Sequence, residues 1–282
     1  MGSSLCQALK RAGGFRTAAY ARRAETRAEA LRLGIAEVVA ATPEDAVANA
    51  DIVVLCTPIL TMGDLVRTIL PALKPGAIVT DVGSTKVALM RQFEPLFRGG
   101  KTVFIGSHPM AGSEKTGIEA GRADLYDGAT IVITPATADA NQSGVAVLKD
   151  FWEKVGGQVL VLDPDDHDRI VARTSHLPQL TASLLALTVG RDPAPLVARL
   201  CGSGFRDSSR LAASSPVMWH DIVKSNQTAI RSELEAYRSQ LDKLLAILDA
   251  GDFDGLRRLL DASRAARARI ITPAGGATNA QS

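Results

Sequence analysis

The feature that most constrains the fold is a series of short apolar runs, each of strand length, in the first half of the chain. The clearest is Asp51–Pro58, and others follow at Gly76–Ser84, Thr102–Ile105 and Ala129–Thr134. Because these runs are continuously apolar and alternate with helical patterns, they predict strands of a parallel sheet that is covered on both faces. Residues 1–162 are therefore predicted to form an α/β domain with a doubly wound parallel sheet.

The start of this domain matches part of a dinucleotide-binding pattern. A Rossmann sheet opens with a strand, a G-x-G-x-x-G turn and a helix, and here Gly2 stands where the last glycine belongs. The first strand and the first two glycines are missing ahead of Gly2. We interpret this Rossmann-like domain as one whose start is truncated or misassigned.

Arg22 and Arg23 follow a predicted strand at Thr17–Tyr20 and bear on the choice of cofactor. In Rossmann sheets an acidic residue here binds the ribose hydroxyls of NAD, whereas an arginine accommodates the 2′-phosphate of NADP. The pair slightly favours NADP over NAD, with both guanidinium groups bound to the phosphate. Two solvated arginines at the start of a helix are the alternative.

Charge and cysteine content exclude several classes of protein. The 32 basic and 30 acidic residues are scattered and leave a net charge of +2, so neither nucleic acid nor membrane is predicted as a partner. The three cysteines are widely spaced without a metal-ligand pattern, and no metal is predicted. Apolar runs are too short for a membrane span and no signal peptide is recognisable, so we expect a cytoplasmic protein.

A polar stretch from Gly106 to Gly117 follows the apolar run Thr102–Ile105. Its glycines, histidine and proline predict a loop at the carboxyl end of a buried strand, the edge where open α/β sheets bind their ligands. His108 lies in this stretch, and the ordinary pKa of an imidazole suits proton transfer near neutral pH. A histidine that only caps the strand end is the alternative.

Residues 163–271 are predicted to form an all-helical domain. Within it, Pro178 predicts a kink beside His176. Nine residues separate His167 from His176, so an ideal helix places them on opposite faces and only one of them in a cleft. Arg206 and Arg210 are four residues apart, share a helical face, and together could hold a carboxylate.

A long amphipathic helix is predicted from Asn226 to Leu248. Its apolar residues recur with the helical period: Ile230, Leu234, Tyr237, Leu241, Leu244 and Leu248. We predict that this helical domain makes a homodimer. The remaining residues, 272–282, are predicted to be a disordered tail.

Four stretches of the chain occur in the order that is found in one family of enzymes. They are Asp81–Lys86, Gly106–Gly117, Ser175–Pro178 and Gly204–Arg210, the last followed by Pro216, Met218 and Trp219. Through them the chain resembles, over nearly its whole length, the prephenate and arogenate dehydrogenases of tyrosine biosynthesis. The resemblance implies an NAD(P)-dependent oxidative decarboxylation of a cyclohexadienol dicarboxylate. Prephenate, with a pyruvyl side chain, and arogenate, with an alanyl one, are both candidate substrates.

The resemblance also implies roles for individual residues. His108 matches the histidine that bonds the ring hydroxyl and takes its proton, and Ser84 matches the serine that orients this histidine and the nicotinamide. Arg210 matches the arginine that binds a substrate carboxylate, with Arg206 and His176 as neighbours. The predicted site residues are, for catalysis, His108, Ser84 and His176; for the substrate, Arg210, Arg206, Ser113, Glu114 and Trp219; for the cofactor, Gly2, Arg22, Arg23, Thr57, Pro58, Asp81 and Ser84.

Two other functions are weighed against this one. The β-hydroxyacid dehydrogenases share the fold and a helical dimerisation half, but they usually rely on a catalytic lysine in the helical domain, and the matched stretches contain no comparable lysine. A chain that lacks the cofactor turn could instead be a non-catalytic remnant that serves as a dimer partner or binds a ligand.

Overall fold

A computed structural model describes residues 1–112, 117–136, 142–191 and 195–271. The chain divides into two compact units, one of residues 1–230 and one that begins at Arg231, and each is described by itself. The predicted site residues Ser113 and Glu114 and the predicted tail at 272–282 lie outside the described residues. Within the described ranges, no helix has the length and apolar character needed to cross a bilayer.

The strands of the first unit are mostly parallel. They are β1 Ala18–Ala19, β2 Val38–Val39, β3 Ile52–Leu55, β4 Ile78–Asp81, β5 Val103–Phe104, β6 Gly106–Pro109, β7 Thr130–Thr134 and β8 Gln158–Val161. Parallel pairs join β1 to β2, β3 to β4, β4 to β5, and β7 to β8, whereas β6 is antiparallel to β7. Parallel strands that alternate with helices confirm the predicted Rossmann-like fold.

From α7 onward the described chain is helical, which confirms the predicted helical second half. The helices are α1 Gly2–Ala12, α2 Ala24–Arg32, α3 Pro43–Val47, α4 Met62–Ile69, α5 Val87–Phe97, α6 Gln142–Lys154, α7 Pro164–Val171, α8 Leu177–Val189, α9 Pro195–Leu200, α10 Ser203–Ser209, α11 Pro216–Ser225, α12 Gln227–Asp249 and α13 Phe253–Ile271. Side chains of Thr42, Asp163 and Ser215 cap α3, α7 and α11 by accepting hydrogen bonds from first-turn amides.

Successive residues of the central strands pack in two apolar cores, one on each face. Ile78 of β4 packs in a core with α1 and α6, whereas its neighbour Val79 packs in a core with α4 and α5. Val53 and Val54 of β3 divide between the two cores in the same way. A strand that is covered on both faces has no side for polar residues, which explains why these runs are continuously apolar.

The predicted loop at Gly106–Gly117 is wrong for its first four residues, because they form β6. In the antiparallel register His108 lies opposite Val132 of β7. A Cβ on Gly106 would lie only 2.4 Å from Oγ1 of Thr134, so glycine permits this close approach of the two strands. His108 is therefore held on a strand and is buried.

The helical segment that carries His167 and His176 contains a π-helical turn. The turn spans Ala172–His176 between α7 and α8, and Pro178 lies in the first turn of α8. Proline has no N–H to donate to the preceding turn, so the regular hydrogen-bond pattern is interrupted here, and the predicted irregularity beside His176 takes the form of this wider turn. The turn also rotates His176 away from its position on an ideal helix. Both histidines are buried in one polar cluster, so the prediction that only one of them faces inward is wrong.

The second unit consists of most of α12, a tight turn and α13. Gly251 has a φ of 62°, which glycine adopts readily, and the carboxylate of Asp252 accepts a hydrogen bond from the Gly255 amide at 2.7 Å. One face of α12 leaves an apolar stripe about half exposed, formed by Tyr237, Leu241, Leu245 and Leu248. Such a stripe is typical of a surface that another chain covers.

Candidate active site

Three side chains form a hydrogen-bonded line in the interior of the first unit, which we call the His–His–Asp line. Nδ1 of His108 lies 2.8 Å from Nε2 of His167, and Nδ1 of His167 lies 2.8 Å from Oδ1 of Asp168. The two imidazole rings meet edge to face, with centroids 5.1 Å apart. All three residues are buried. A base oriented by a second group, which is in turn oriented by a carboxylate, is a recurrent catalytic arrangement.

The carboxylate of Asp168 joins this line to the start of α5. Oδ1 accepts a hydrogen bond from the backbone amide of Lys86 at 2.7 Å, and Oδ2 accepts one from the amide of Val87 at 2.9 Å. Amides in the first turn of a helix have no intrahelical partner, and the helix dipole favours a negative charge at this end. The helix terminus thus stabilises the carboxylate charge beside His167.

A buried ion pair between Lys86 and Asp81 lies next to His108. The ammonium also donates to the carbonyl of Ser107 at 2.7 Å, and the carboxylate accepts from the amides of Ser107 at 3.0 Å and Gly83 at 2.8 Å. Asp81 is predicted from the sequence to bind the cofactor, and this stays a prediction; in the structure it is fully buried and both of its oxygens bind groups of the protein. An uncompensated cation in the interior is costly, and Asp81 neutralises Lys86.

The surroundings of His108 and His176 favour the neutral form of both rings. Burial lowers the pKa of His108 well below its ordinary value of 6.5, and the nearby charge of Lys86 acts in the same direction. Burial also lowers the pKa of His176 to about 4, although the carboxylate of Asp168 opposes this shift. At neutral pH the ring of His108 is therefore unprotonated at one nitrogen and can take a proton.

His176 and Trp219, both predicted site residues, lie side by side. Their rings meet edge to face with centroids 5.7 Å apart. Nδ2 of Asn226 donates to the carbonyl of Asp168 at 2.8 Å and lies 3.4 Å from Nδ1 of His176, which connects this pair to the His–His–Asp line. In the described part of the chain, the buried indole N–H of Trp219 has no hydrogen-bond partner. Such an orphaned donor is costly, and a ligand acceptor would satisfy it.

The two predicted carboxylate-binding arginines are exposed. Arg206 lies in α10, whereas Arg210 begins the 3₁₀ turn that follows, so they do not share one regular helix as predicted. Nε2 of Gln179 donates to the carbonyl of Leu211 at 2.8 Å. Gln179 lies three residues after His176, and this bond therefore ties the segment that carries Arg210 to the helix that follows His176.

The residues predicted for the cofactor lie at the start of α1 and at or beyond the ends of three strands, β1, β3 and β4. A Cβ on Gly2 would lie 3.3 Å from Cβ of Cys56, so the backbone of α1 begins close to the chain that leaves β3. The structure describes no side-chain cap there, and the first-turn amides can bind an anion such as a pyrophosphate. Four further predicted residues are exposed beyond β1 and β3: Arg22, Arg23, Thr57 and Pro58. These features fit a dinucleotide.

Sequence reasoning missed most of the groups that surround His108. Ser84 is predicted to orient the ring and is half-buried in the loop before α5, but Nδ1 of His108 bonds to His167. Lys86 ends the stretch Asp81–Lys86 and Asp168 directly follows His167, so both residue types are visible in the sequence. Their partners were not, because α7 and the start of α5 are distant in sequence.

Comparison with known proteins assigns the family. A model described as "Prephenate dehydrogenase, nucleotide-binding domain" matches residues 5–161, and one described as "Prephenate dehydrogenase, dimerization domain" matches residues 163–262. The chain belongs to the prephenate dehydrogenase family. Family membership confirms the predicted class of enzyme, an oxidoreductase with a nucleotide-binding domain.

Relatives with high coverage agree with this assignment. Cyclohexadienyl dehydrogenase from Zymomonas mobilis is 34% identical over 250 residues, which cover 87% of this chain and 83% of that protein. Prephenate dehydrogenase from Aquifex aeolicus, solved with hydroxyphenyl propionate and NAD+, is 30% identical with a TM-score of 0.87, covering 96% of this chain and 94% of that one. Arogenate dehydrogenase from Synechocystis is 30% identical with a TM-score of 0.82, covering 95% and 96%. Two further relatives, both prephenate dehydrogenases, are longer, and the chain spans 60% and 62% of their length.

Proposed function

We propose that the chain catalyses the NAD(P)-dependent oxidative decarboxylation of prephenate or arogenate, a step of tyrosine biosynthesis. The observation that carries the proposal is the His–His–Asp line, which presents a buried, neutral imidazole on a strand of the nucleotide-binding half. His108 takes the proton of the ring hydroxyl as hydride leaves the carbinol carbon. Carbon dioxide then leaves the ring, which becomes aromatic.

Binding of the cofactor is assigned to the start of α1 and to the ends of β1 and β3. When bound, the cofactor supplies the hydride acceptor. The amides at Gly2 hold the pyrophosphate, and Arg22 and Arg23 favour NADP through its 2′-phosphate. NAD is the alternative cofactor, because the relative from Aquifex aeolicus was solved with NAD+.

Binding of the substrate carboxylates is assigned to Arg210, with Arg206 and His176 as neighbours. Aromatisation drives the loss of carbon dioxide, so a fixed cation only has to place the carboxylate, and no metal is required. The orphaned indole N–H of Trp219 offers a hydrogen bond to the same substrate.

An assay of reduced-nicotinamide absorbance tests this function directly. The purified protein is mixed with prephenate or arogenate and with NAD+ or NADP+, and the variant His108→Asn provides the background rate. We expect turnover with at least one pair and a lower rate in the variant. Absence of turnover with all four pairs, in protein shown to be folded, would refute the proposal, whereas a clear NAD preference would refute only the role of Arg22 and Arg23.

We also propose that the protein is a homodimer through its helical half, as the name of the matching dimerisation model suggests. The apolar stripe of α12 is the surface that supports this, with the Leu241 side chain about half exposed in the protomer. Leu241→Asp should dissociate or unfold the protein, because an unpaired charge in an apolar contact costs several kcal/mol. Ser239→Asp, elsewhere on the same helix, is the matched control. Light scattering that gives a monomer mass for the unaltered protein would contradict the proposal.

A further inference from the structure

With both rings neutral, the contacts of the His–His–Asp line determine which ring nitrogen carries each hydrogen. An ionised carboxylate only accepts hydrogen bonds, so the hydrogen between Asp168 and His167 belongs to Nδ1 of His167. A neutral imidazole carries one N–H, which leaves Nε2 of His167 as an acceptor. The hydrogen between the two rings therefore belongs to Nδ1 of His108. Nε2 of His108 is left as the unprotonated, basic nitrogen.

We infer that His167 and Asp168 are positioning residues for His108 and form a proton relay with it. They hold His108 in the tautomer whose Nε2 is basic, and His167 takes the Nδ1 proton of His108 when Nε2 accepts the hydroxyl proton of the substrate. The inference rests on the proposed function, because the hydroxyl proton and the nicotinamide that accepts the hydride come from that reaction. One proton enters at Nε2 of His108, one passes to Nε2 of His167, and none is lost.

The charges around the two rings give this relay its direction. The side chains that act on His108 electrostatically are the cation Lys86, beside the start of α5, and the rings of His167 and His176. Asp81, at the end of β4, is already paired with Lys86. The carboxylate of Asp168 contacts His167 and not His108. A positive charge is therefore better stabilised on His167, beside Asp168, than on His108, beside Lys86.

The tautomer can be read without any activity, by nitrogen NMR of protein labelled at its four histidines. Protonated and unprotonated ring nitrogens have well-separated resonances, and single substitutions assign each ring. At neutral pH we expect His108 to carry its hydrogen on Nδ1. In His167→Leu, which removes the acceptor, His108 should shift toward the Nε2–H tautomer. A hydrogen on Nε2 of His108 in the unaltered protein would overturn the inference.

Kinetics of His167→Gln separate orientation from proton transfer. Glutamine can accept from Nδ1 of His108 and donate to Asp168, but it cannot carry the proton. We expect His108 to keep its tautomer, with kcat lower by roughly tenfold to a hundredfold and KM changed by less than about threefold. This variant also carries the test if His167→Leu does not fold. An unchanged kcat in His167→Gln would overturn the relay.

The pair His220–Asp221, in which the histidine is exposed, supplies a matched control, since Nδ1 of His220 lies 2.9 Å from Oδ1 of Asp221. His220→Gln should leave kcat and the tautomer of His108 unchanged. If the unaltered protein oxidises neither substrate, the proposed function fails, while the NMR measurement still decides whether His167 sets the tautomer of His108.

Discussion

The chain contains two His–Asp dipeptides with nearly the same local geometry, His167–Asp168 and His220–Asp221. The distance from Nδ1 to Oδ1 is 2.8 Å in the first and 2.9 Å in the second. The first is buried and its carboxylate accepts two amides from the start of α5, whereas the His220 side chain is 69% exposed. The dipeptide alone therefore does not make a site. Burial, a helix terminus and a second imidazole ring, that of His108, distinguish the first from the second.

Solvent explains why equal geometry has unequal consequences. A polar contact that solvent reaches competes with water and contributes about 0 to 1 kcal/mol, whereas each buried polar group left without a partner costs about 1 to 3 kcal/mol. Matched substitutions in the two dipeptides should therefore differ strongly in effect.

The largest difference is expected between Asp168→Asn and Asp221→Asn. Asparagine at 168 turns an NH2 group toward donors that now lack an acceptor, and the lost charge no longer complements the start of α5. The free energy of unfolding should fall by about 3 kcal/mol, against less than about 1 kcal/mol for Asp221→Asn. Urea denaturation measures both. Equal losses in the two variants would contradict the distinction.

A second difference is expected between His108→Asn and His220→Asn. If His108 takes the proton only as hydride departs, its bond to the hydroxyl strengthens in the transition state. Its removal should lower kcat by about a hundredfold or more with little change in KM. Steady-state kinetics should show no effect of His220→Asn. A near-normal kcat in His108→Asn would make His108 a positioning residue and His176 the candidate base.

Exposed charges should act mainly on binding, and Arg210→Gln tests this. If the guanidinium grips a carboxylate throughout the reaction, its loss should raise KM by about thirtyfold to a hundredfold, or 2 to 3 kcal/mol, with kcat nearly unchanged. The melting temperature should stay close to that of the unaltered protein. A fall in kcat at constant KM would assign Arg210 to the chemical step instead.

The smallest effect concerns stability at acid pH. His108 and His176 have a pKa below 6.5 when folded, so the unfolded chain binds more protons as the pH falls below 6.5. Stability should fall between pH 6.5 and about pH 4, where His176 titrates in the folded state. Over the first part of this window, from pH 6.5 to about pH 5.5, His176→Gln should reduce the loss by about 1 kcal/mol, with His220→Gln as the control. Stability that rises on acidification would contradict the assigned shifts.

Much of the fold was predictable because continuous apolar runs such as Ile52–Leu55 have few alternatives to a covered parallel strand. The strand Gly106–Pro109 was not predictable, since its glycine and proline indicate a turn. Only the close approach of Thr134 in the structure shows why this strand needs glycine at its first position. The sequence also placed His108, His176 and Trp219 among the candidates, and the last two lie in contact.

The rest of the site depends on contacts between distant segments. Helical periodicity alone places His167 and His176 on opposite faces of a helix. The π-helical turn and the tertiary packing bring both into one cluster. Nothing in the dipeptide His167–Asp168 distinguishes it from His220–Asp221 before the start of α5 is placed against it. Asp81 forms a buried ion pair with Lys86, and its position at the end of a strand could not reveal this partner.

The most direct test of the account is the pH dependence of kcat/KM in the unaltered enzyme and in His108→Asn. His108 must be neutral to take a proton, and its pKa is lowered well below 6.5, so activity should be lost only as the pH falls well below that value. We predict an acid limb with a midpoint below pH 6.5, and we predict that this limb is absent from the residual activity of His108→Asn. An acid limb that persists unchanged in the variant, or a midpoint above pH 6.5, would contradict the assignment of His108 as the base.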